Sequence, residues 1–207
     1  MPSGAPHSRT MAGNSCLPTL RPEAPATRAL PAGPAAVDSP MMTATKDAPV
    51  SHGLTRSAVA LAAWLTLSFA AAAIGGFFLP GEWYATLKKP PWNPPNWIFG
   101  PVWTALYIMM AVAAWLVWRR GGFAVQRLAL GLFLLQLLLN ALWSPLFFGL
   151  RAPALALVDI GFLWLALLGT MIACWKVRPL AGALLAPYLA WVTFASALNW
   201  TLWRLNP

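Results

Sequence analysis

Charged side chains are scarce in this sequence, which has 207 residues of which only 9% are Asp, Glu, Lys or Arg. Soluble domains carry about 25% charged residues, because their surfaces face water. A chain with 59% hydrophobic residues and so few charges has no means of covering such a surface. The composition therefore excludes an ordinary soluble domain and predicts a polytopic membrane protein.

Histidine and cysteine are also rare, with two residues of each. His7 and His52 both precede the apolar part of the chain, so that part offers no imidazole to a haem iron or a zinc ion. Cys16 lies in the N-terminal tail and Cys174 in an apolar segment, and this spacing matches neither a disulfide nor a metal site. We expect no metal centre and no required cofactor.

Acidic residues are few as well: five Asp and Glu stand against fourteen Lys and Arg, which gives a formal charge of +9. Such a charge could indicate nucleic-acid binding. However, basic residues such as Lys88, Lys89, Arg119 and Arg120 lie between or beside apolar runs, which is the placement of cations at a bilayer interface. We therefore expect the membrane as a partner and no nucleic acid.

Residues 1–52 are rich in Pro, Ala, Ser and Thr and show no apolar periodicity, which predicts a disordered tail. A targeting peptide is an alternative, and so is an over-extended gene start, with Met41 or Met42 as the natural first residue. Residues 53–207 are predicted to form a single membrane domain.

Five apolar segments follow the tail, and each is close to the ~20 residues that a membrane-spanning helix needs. They are Ser57–Leu79, Phe99–Trp118, Phe123–Phe148, Pro153–Trp175 and Leu180–Trp203. The segments predict an all-α integral membrane protein, a five-transmembrane-helix bundle with its termini on opposite sides. The short second to fourth connections predict that sequence neighbours pack antiparallel.

Aromatic residues and prolines are concentrated between the first two apolar segments. The stretch from Gly81 to Tyr107 holds four tryptophans and five prolines. Pro90, Pro91, Pro94 and Pro95 lack a backbone N–H and are not tolerated inside a helix or strand. They predict an irregular loop, hereafter the first loop. Its aromatic content indicates that it caps the bundle at the membrane surface.

Helical spacing places polar and aromatic residues of the spans on shared stripes. These stripes are Trp103, Tyr107 and Met110; Gln136, Asn140, Trp143 and Phe147; Leu155, Asp159, Phe162 and Ala166; and Pro187, Trp191, Ala195 and Leu198, with Asn199 alongside. Their aliphatic members indicate bundle core. Asp159 is the only acid inside a span, so we expect it either to hydrogen-bond Asn140, Gln136 or a neighbouring helix, or to gate or polarise a ligand cavity.

Trp103, Trp143 and Trp191 lie on these polar stripes, and we expect them to line a shared hollow under the first loop. Indoles suit a flat polycyclic ligand, because each ring pair adds about 0.5–1.5 kcal/mol to plain burial. A porphyrin fits this description, with Lys88, Lys89 or Arg151 available to its propionates. A sterol would fit the hollow but has no use for the cations.

Four parts of the chain together resemble the TspO/MBR family, which comprises translocator proteins and tryptophan-rich sensory proteins. They are the first loop, QLLLNALWSPLFFG at Gln136–Gly149, ALVD at Ala156–Asp159 and PYLAWVTFASALNWTLWR at Pro187–Arg204. The resemblance covers about residues 57–205. It implies a five-helix bundle, often a homodimer, that binds porphyrins, sterols and synthetic ligands in a pocket under the first loop.

The resemblance also implies functional residues. Two tryptophans implicated in light-dependent porphyrin degradation correspond to Trp103 and Trp191. Pocket-lining positions correspond to Ala73, Gly76, Phe99, Val102, Trp143, Asp159, Ala195 and Leu198, and the loop and stripes add Trp92, Tyr107 and Asn140 to the predicted site. Two positions depart from animal members: Leu155 replaces a pocket tryptophan, and Trp200 replaces the tyrosine of their cholesterol motif. Tetrapyrrole recognition is therefore favoured over sterol recognition.

The function predicted is that of a membrane sensor or regulator that binds a tetrapyrrole such as protoporphyrin IX. It is not expected to be a classical enzyme, although light-dependent porphyrin degradation is implied by the resemblance. The alternative is a transporter of porphyrin, sterol or another lipid across the bilayer. Alternating-access carriers usually contain repeated halves, and no repeat is visible here. The expected location is a bacterial cell membrane, inner or outer, with a homodimer as the assembly.

Overall fold

The computed structural model describes residues 50–78 and 80–207, and all regular secondary structure in these two ranges is helical. The helices are α1 (Val50–Gly76), α2 (Glu82–Thr86), α3 (Asn96–Trp118), α4 (Gly122–Val125), α5 (Arg127–Ser144), which continues into a π-helical turn (Pro145–Gly149), α6 (Pro153–Val177) and α7 (Pro179–Leu205). Residues 1–49 of the predicted tail lie outside the described residues and stay a prediction, whereas residues 50–52 belong to α1, which begins at Val50 rather than Ser57.

Five of these helices, α1, α3, α5 with its π-helical turn, α6 and α7, have the length and hydropathy to cross a bilayer. The predicted all-α five-span fold is confirmed. The boundaries shift by a few residues: α1 ends at Gly76 rather than Leu79, because two consecutive glycines and Pro80 do not favour a continued helix. Helix α3 begins at Asn96 rather than Phe99, with Pro95 at its N-cap.

Two local features differ from the sequence prediction. Because α3 begins at Asn96, the first loop is confined to residues 77–95. It contains a short helix, α2, which lies ahead of the prolines that made the loop irregular. The third apolar segment begins with a separate turn, α4, because Gly121 and Gly122 adopt positive φ values of 116° and 60° and Gln126 leaves the helical region. The π-helical turn begins at Pro145, whose missing N–H interrupts the α-helical ladder at that point.

The spanning helices form a closed ring in the order α1, α3, α7, α6, α5. Helix α1 therefore packs between α3 and α5, and α7 packs between α3 and α6. The expectation that all sequence neighbours pack together fails for α3 and α5, which make little contact with each other. A short connection limits where the next helix starts, but it does not oblige the two helices to pack side by side.

The inward face of α6 differs from the predicted stripe. Leu155 and Phe162 are 54% and 61% exposed, whereas Asp159 and Ala166 are buried. The centre of the buried face instead follows Ala156, Ile160, Leu163, Leu167 and Thr170. Residues 159 and 162 lie about 60° apart around a helix. A stripe that contains both is therefore wider than the buried face, and Phe162 lies outside that face.

Candidate functional site

An apolar groove of about 500 Å³ runs between α3 and α7 and opens to the outside of the bundle. It is lined by Val102, Ala105, Leu106, Met109, Pro187, Ala190, Trp191 and Phe194. These positions recur on each helix at intervals of three and four residues, so they form one face of α3 and one face of α7. We call this feature the α3/α7 groove. Its lining offers hydrophobic and aromatic contact to a ligand and no charge.

Aromatic rings connect the α3/α7 groove to the first loop. The ring of Trp191 lies 5.8 Å from that of Phe99 and 5.6 Å from that of Phe194, measured between centroids. Trp92 of the first loop contacts Phe194 at 5.8 Å. Four rings from the loop and two helices therefore form a continuous aromatic surface at the loop-side end of the groove.

Trp103 lies on another side of α3, because it is one residue, or about 100°, away from the groove residue Val102. Its ring contacts those of Tyr107 at 5.6 Å and Tyr188 at 6.1 Å. Of the three tryptophans expected to share a hollow, only Trp191 lines the groove. That expectation is corrected here: Trp103 packs against the tyrosines of the interior instead.

A chain of hydrogen bonds crosses the interior beside Trp103. The Tyr107 hydroxyl donates to Asn140 Oδ1, and Asn140 Nδ2 donates to the Tyr188 hydroxyl over 2.7 Å. Asn140 is buried on α5 and so links α3 to α7, two helices that flank the groove. We call these three residues the polar chain. It satisfies polar groups for which the membrane offers no water.

Asp159 is 6% exposed on α6, and its Oδ2 atom has no hydrogen-bond partner. The partners predicted for it are engaged elsewhere. Asn140 bonds to the two tyrosines, and Gln136 directs its Nε2 atom to the sulfur of Met110 at 3.8 Å. The expected hydrogen bond from Asp159 to Asn140 or Gln136 is therefore wrong, and Asp159 remains a buried carboxyl with an open acceptor.

Trp143 lies under the first loop rather than in the groove. Its indole Nε1 donates to Asn199 Oδ1 over 3.1 Å, and Asn199 Nδ2 donates to the Pro153 carbonyl over 2.8 Å. Its ring stacks on Phe147 at 4.9 Å with an interplanar angle of 20°. Asn199 thus joins α5, α6 and α7, and Trp143 is held as part of that junction.

The first loop packs on this junction through α2. The rings of Trp83 and Tyr84 contact Phe147 at 5.8 and 6.3 Å, and Tyr84 also contacts Phe148 at 5.5 Å. The Tyr84 hydroxyl donates to Asn93 Oδ1 over 3.3 Å. Burial raises the pKa of Tyr84 above its ordinary value, and the hydrogen bond to Asn93 lowers it by less.

The three cations considered for propionates differ in their availability. Lys89 Nζ lies 4.7 Å from the Tyr84 ring centroid and donates to the carbonyls of Ala85 and Leu87. Lys88 and Arg151 are exposed. Of these two exposed cations, Lys88 is the nearer in sequence to the aromatic surface of the groove, because it lies in the first loop four residues before Trp92.

Comparison with known proteins agrees with this architecture. The model of the TspO/MBR family matches residues 58–204. The human translocator protein is 46% identical over 138 residues, which cover 64% of this chain and 82% of that protein. Protein CrtK of Rhodobacter capsulatus is 43% identical over 141 residues, covering 66% and 86%. The tryptophan-rich protein TspO of Chlorobaculum tepidum is 44% identical over 161 residues, covering 74% and 100%.

The chain belongs to the TspO/MBR family. With its five apolar helices it is an integral, multi-pass membrane protein.

The residues predicted to bind ligand fall into separate groups in this family member. Phe99, Val102 and Trp191 meet at the groove, and Trp92 reaches it through Phe194. Trp103, Tyr107 and Asn140 belong to the interior around the polar chain, whereas Trp143 and Leu198 lie beneath the first loop. Ala195 is half-buried on α7, and Ala73 and Gly76 are exposed near the end of α1.

Three residues that contact the groove, the polar chain or the first loop were not predicted as site residues: Tyr188, Phe194 and Asn206. A signal existed for Tyr188, because a tyrosine inside a span needs a hydrogen-bond partner. Phe194 lies one turn from Trp191, so the spacing along α7 could have indicated it. Asn206 lies beyond the last span and bonds to Lys88 of the first loop, which no local pattern indicates.

Proposed function

We propose that this TspO/MBR protein is a membrane sensor or regulator that binds tetrapyrroles of the protoporphyrin IX type in the α3/α7 groove. The observation that carries the proposal is the continuous surface formed by Phe99, Trp191, Phe194 and Trp92. Flat aromatic ligands gain most from such a surface, because ring contacts add to the free energy of burial.

The size and chemistry of the groove support the same ligand class. Small-molecule sites usually enclose about 300–1,000 Å³ and are lined mainly by apolar and aromatic side chains. The groove has about 500 Å³, and its lining residues are all apolar. Exposed Lys88 in the first loop supplies a cation outside the apolar region, where the carboxylates of a porphyrin would remain hydrated.

A titration of the purified protein with protoporphyrin IX tests the proposal. Binding is followed through the porphyrin absorption band and through tryptophan emission. We expect saturable binding that weakens by about fivefold in Trp191→Phe, because a smaller ring loses part of the contact. Trp175→Phe is the matched control, since Trp175 lies at the far end of α6 and outside the groove. Equal affinity in the two variants would contradict the proposed site.

Light-dependent porphyrin degradation is a further part of the proposal. An indole would give one electron to the photoexcited porphyrin, which leaves an indole radical cation and a porphyrin radical anion. Dioxygen would add to a meso carbon of the anion, and the electron would return to the indole radical cation. Cleavage of the O–O bond and of the neighbouring carbon–carbon bond would then open the ring, with both oxygen atoms kept in the product. Trp191 lines the groove and is the expected first donor. Trp103, which contacts Tyr107 and Tyr188, is the second candidate donor. Illumination of the complex in air tests this step. Loss of the porphyrin spectrum at an unchanged rate in Trp191→Phe and Trp103→Phe would exclude their role.

Transport of porphyrin, sterol or another lipid is the competing function, and the opening of the groove to the outside of the bundle favours it. A ligand dissolved in the bilayer could enter such a groove sideways. Flux of protoporphyrin IX into proteoliposomes, measured beside equilibrium binding, distinguishes the two functions. Saturable binding without flux supports the sensor, and flux that follows binding across variants supports the transporter.

The proposal includes a homodimer. Helix α1 is the least buried of the five spans, so it presents a free helix surface to the membrane. Light scattering of the protein in detergent is expected to give twice the mass of the 22.4 kDa chain after subtraction of the detergent.

A further inference from the structure

Asn206 is the first residue after α7, and its side chain reaches the first loop. Its Nδ2 atom donates to the Leu202 carbonyl over 2.9 Å, one turn back in α7. The same group donates to the Lys88 carbonyl over 3.1 Å, and Oδ1 accepts the Lys88 backbone N–H over 2.9 Å. One amide side chain therefore pairs with both polar groups of one peptide residue that lies 118 positions away in the chain.

This pairing depends on the asparagine amide. A carboxamide offers a donor and an acceptor side by side, so it can match the N–H and C=O of Lys88 at once. Aspartate keeps the acceptor but has no donor for the carbonyl, and leucine has neither. The side chain of Lys88 takes no part, so the pairing recognises the backbone of the loop.

The position of Lys88 gives the pairing its effect on the loop. Other hydrogen bonds of the loop's described residues run within it, as from Tyr84 to Asn93 and from Lys89 to Ala85 and Leu87. They fix the internal shape of the loop but not its place on the bundle. The two bonds to Asn206 join it to α7, the helix that carries Trp191 and Phe194.

We infer that Asn206 is a latch that positions the first loop on α7 and thereby controls the rate at which ligand leaves the groove. The inference rests on the proposed function, because it concerns retention in that same site. Trp92 follows Lys88 by four residues and contacts Phe194 at the groove. Release of Lys88 removes the polar restraint on this part of the loop, so Trp92 leaves the groove more often.

Two readouts test the latch, one of which needs no ligand. Hydrogen exchange of peptides that cover residues 82–89 reports opening of the loop in the ligand-free protein. Stopped-flow release of protoporphyrin IX reports retention. In Asn206→Leu we expect both loop exchange and release to become faster on the order of tenfold, because two hydrogen bonds are lost. Asn206→Asp should lie between wild type and Asn206→Leu, since one bond is kept.

Thr201→Val is the matched control. Thr201 lies near the end of α7, and its hydroxyl donates to the Ala197 carbonyl of that helix, so loss of the hydroxyl should leave loop exchange and release unchanged. Removal of residues 206 and 207 is a second way to delete the latch, should Asn206→Leu fold poorly. It should reproduce the behaviour expected of Asn206→Leu.

The outcomes separate the latch from the proposed function. Unchanged loop exchange in Asn206→Leu and in the truncated chain would overturn the latch. Faster loop exchange with unchanged release would overturn its control of retention. If the wild-type protein fails to bind protoporphyrin IX, the proposed function falls and the retention claim falls with it, while the exchange data still decide whether Asn206 holds the loop.

Discussion

The interior of the bundle and the first loop are stabilised by different kinds of contact. In the interior, apolar faces of five helices pack together, and the polar chain joins side chains of Tyr107, Asn140 and Tyr188. In the first loop, backbone groups bond to side chains, as Lys88 does to Asn206 and Ala85 does to Lys89, and aromatic rings lie on the bundle surface. The interior is therefore stabilised by residues that recur at helical spacing along five helices, whereas the position of the loop depends on a few individual contacts.

Phe147 joins the two regions, so its loss should have the largest effect. It is 1% exposed, and its ring contacts Trp143 of α5 and Trp83 and Tyr84 of the loop. We expect Phe147→Ala to lower the free energy of unfolding by about 3–5 kcal/mol, because a cavity remains. Thermal or detergent denaturation measures this change. Phe162→Ala is the control, since that ring is 61% exposed; an equal loss there would contradict the account.

A substitution of Asn140 tests the contribution of the polar chain to the stability of the interior, without changing the loop. Asn140→Leu leaves the hydroxyls of Tyr107 and Tyr188 buried without partners, and we expect it to cost about 2–3 kcal/mol of stability. A triple variant that also carries Tyr107→Phe and Tyr188→Phe should regain most of the loss, since no polar group is then left unpaired. Denaturation curves of the single and the triple variant measure the two changes in the free energy of unfolding. No recovery in the triple variant would show that the polar chain acts through something other than its hydrogen bonds.

A larger side chain in the α3/α7 groove should weaken ligand binding without changing the stability of the interior or of the first loop. Ala190 lines the groove and is exposed, so Ala190→Phe is expected to place a ring where the ligand lies and to weaken protoporphyrin IX binding at least about tenfold. Ala183→Phe is the control, because that exposed residue of α7 is not part of the groove lining. Titrations of both variants are compared with their melting temperatures. Undiminished affinity in Ala190→Phe would move the site elsewhere.

The smallest expected effect concerns the loop alone and depends on pH. Because burial raises the pKa of Tyr84, its stabilising contribution is complete below the ordinary pKa of about 10 and is lost as the pH rises through the folded-state value. The melting temperature of the wild type should therefore fall more steeply above pH 10 than that of Tyr84→Phe. Parallel curves for the two proteins would contradict a role for this hydroxyl.

The sequence predicted the interior better than the loop, for a physical reason. Five long apolar runs are sufficient to identify five spans, and polar residues within them, such as Asn140, were expected to face inward because lipid does not solvate them. The predicted α6 stripe is wrong at Leu155 and Phe162, which are exposed, because an approximate stripe does not locate the centre of the buried face.

Contacts that depend on the ring order of the helices could not be predicted from the sequence. The groove exists because α7 packs beside α3, although two spans separate them in the chain. The pairing of Asn206 with Lys88 depends on the same arrangement, because it spans 118 residues. Local spacing carries no information about which distant helix becomes a neighbour.

The central claim is that a tetrapyrrole lies in the α3/α7 groove against Trp191. A crystal structure of the protein with protoporphyrin IX tests it most directly. The account predicts the macrocycle between Val102 and Met109 on one side and Pro187 and Trp191 on the other, with Trp92 at its loop-side edge. A macrocycle bound elsewhere, with the groove unchanged and filled only by lipid, would contradict it.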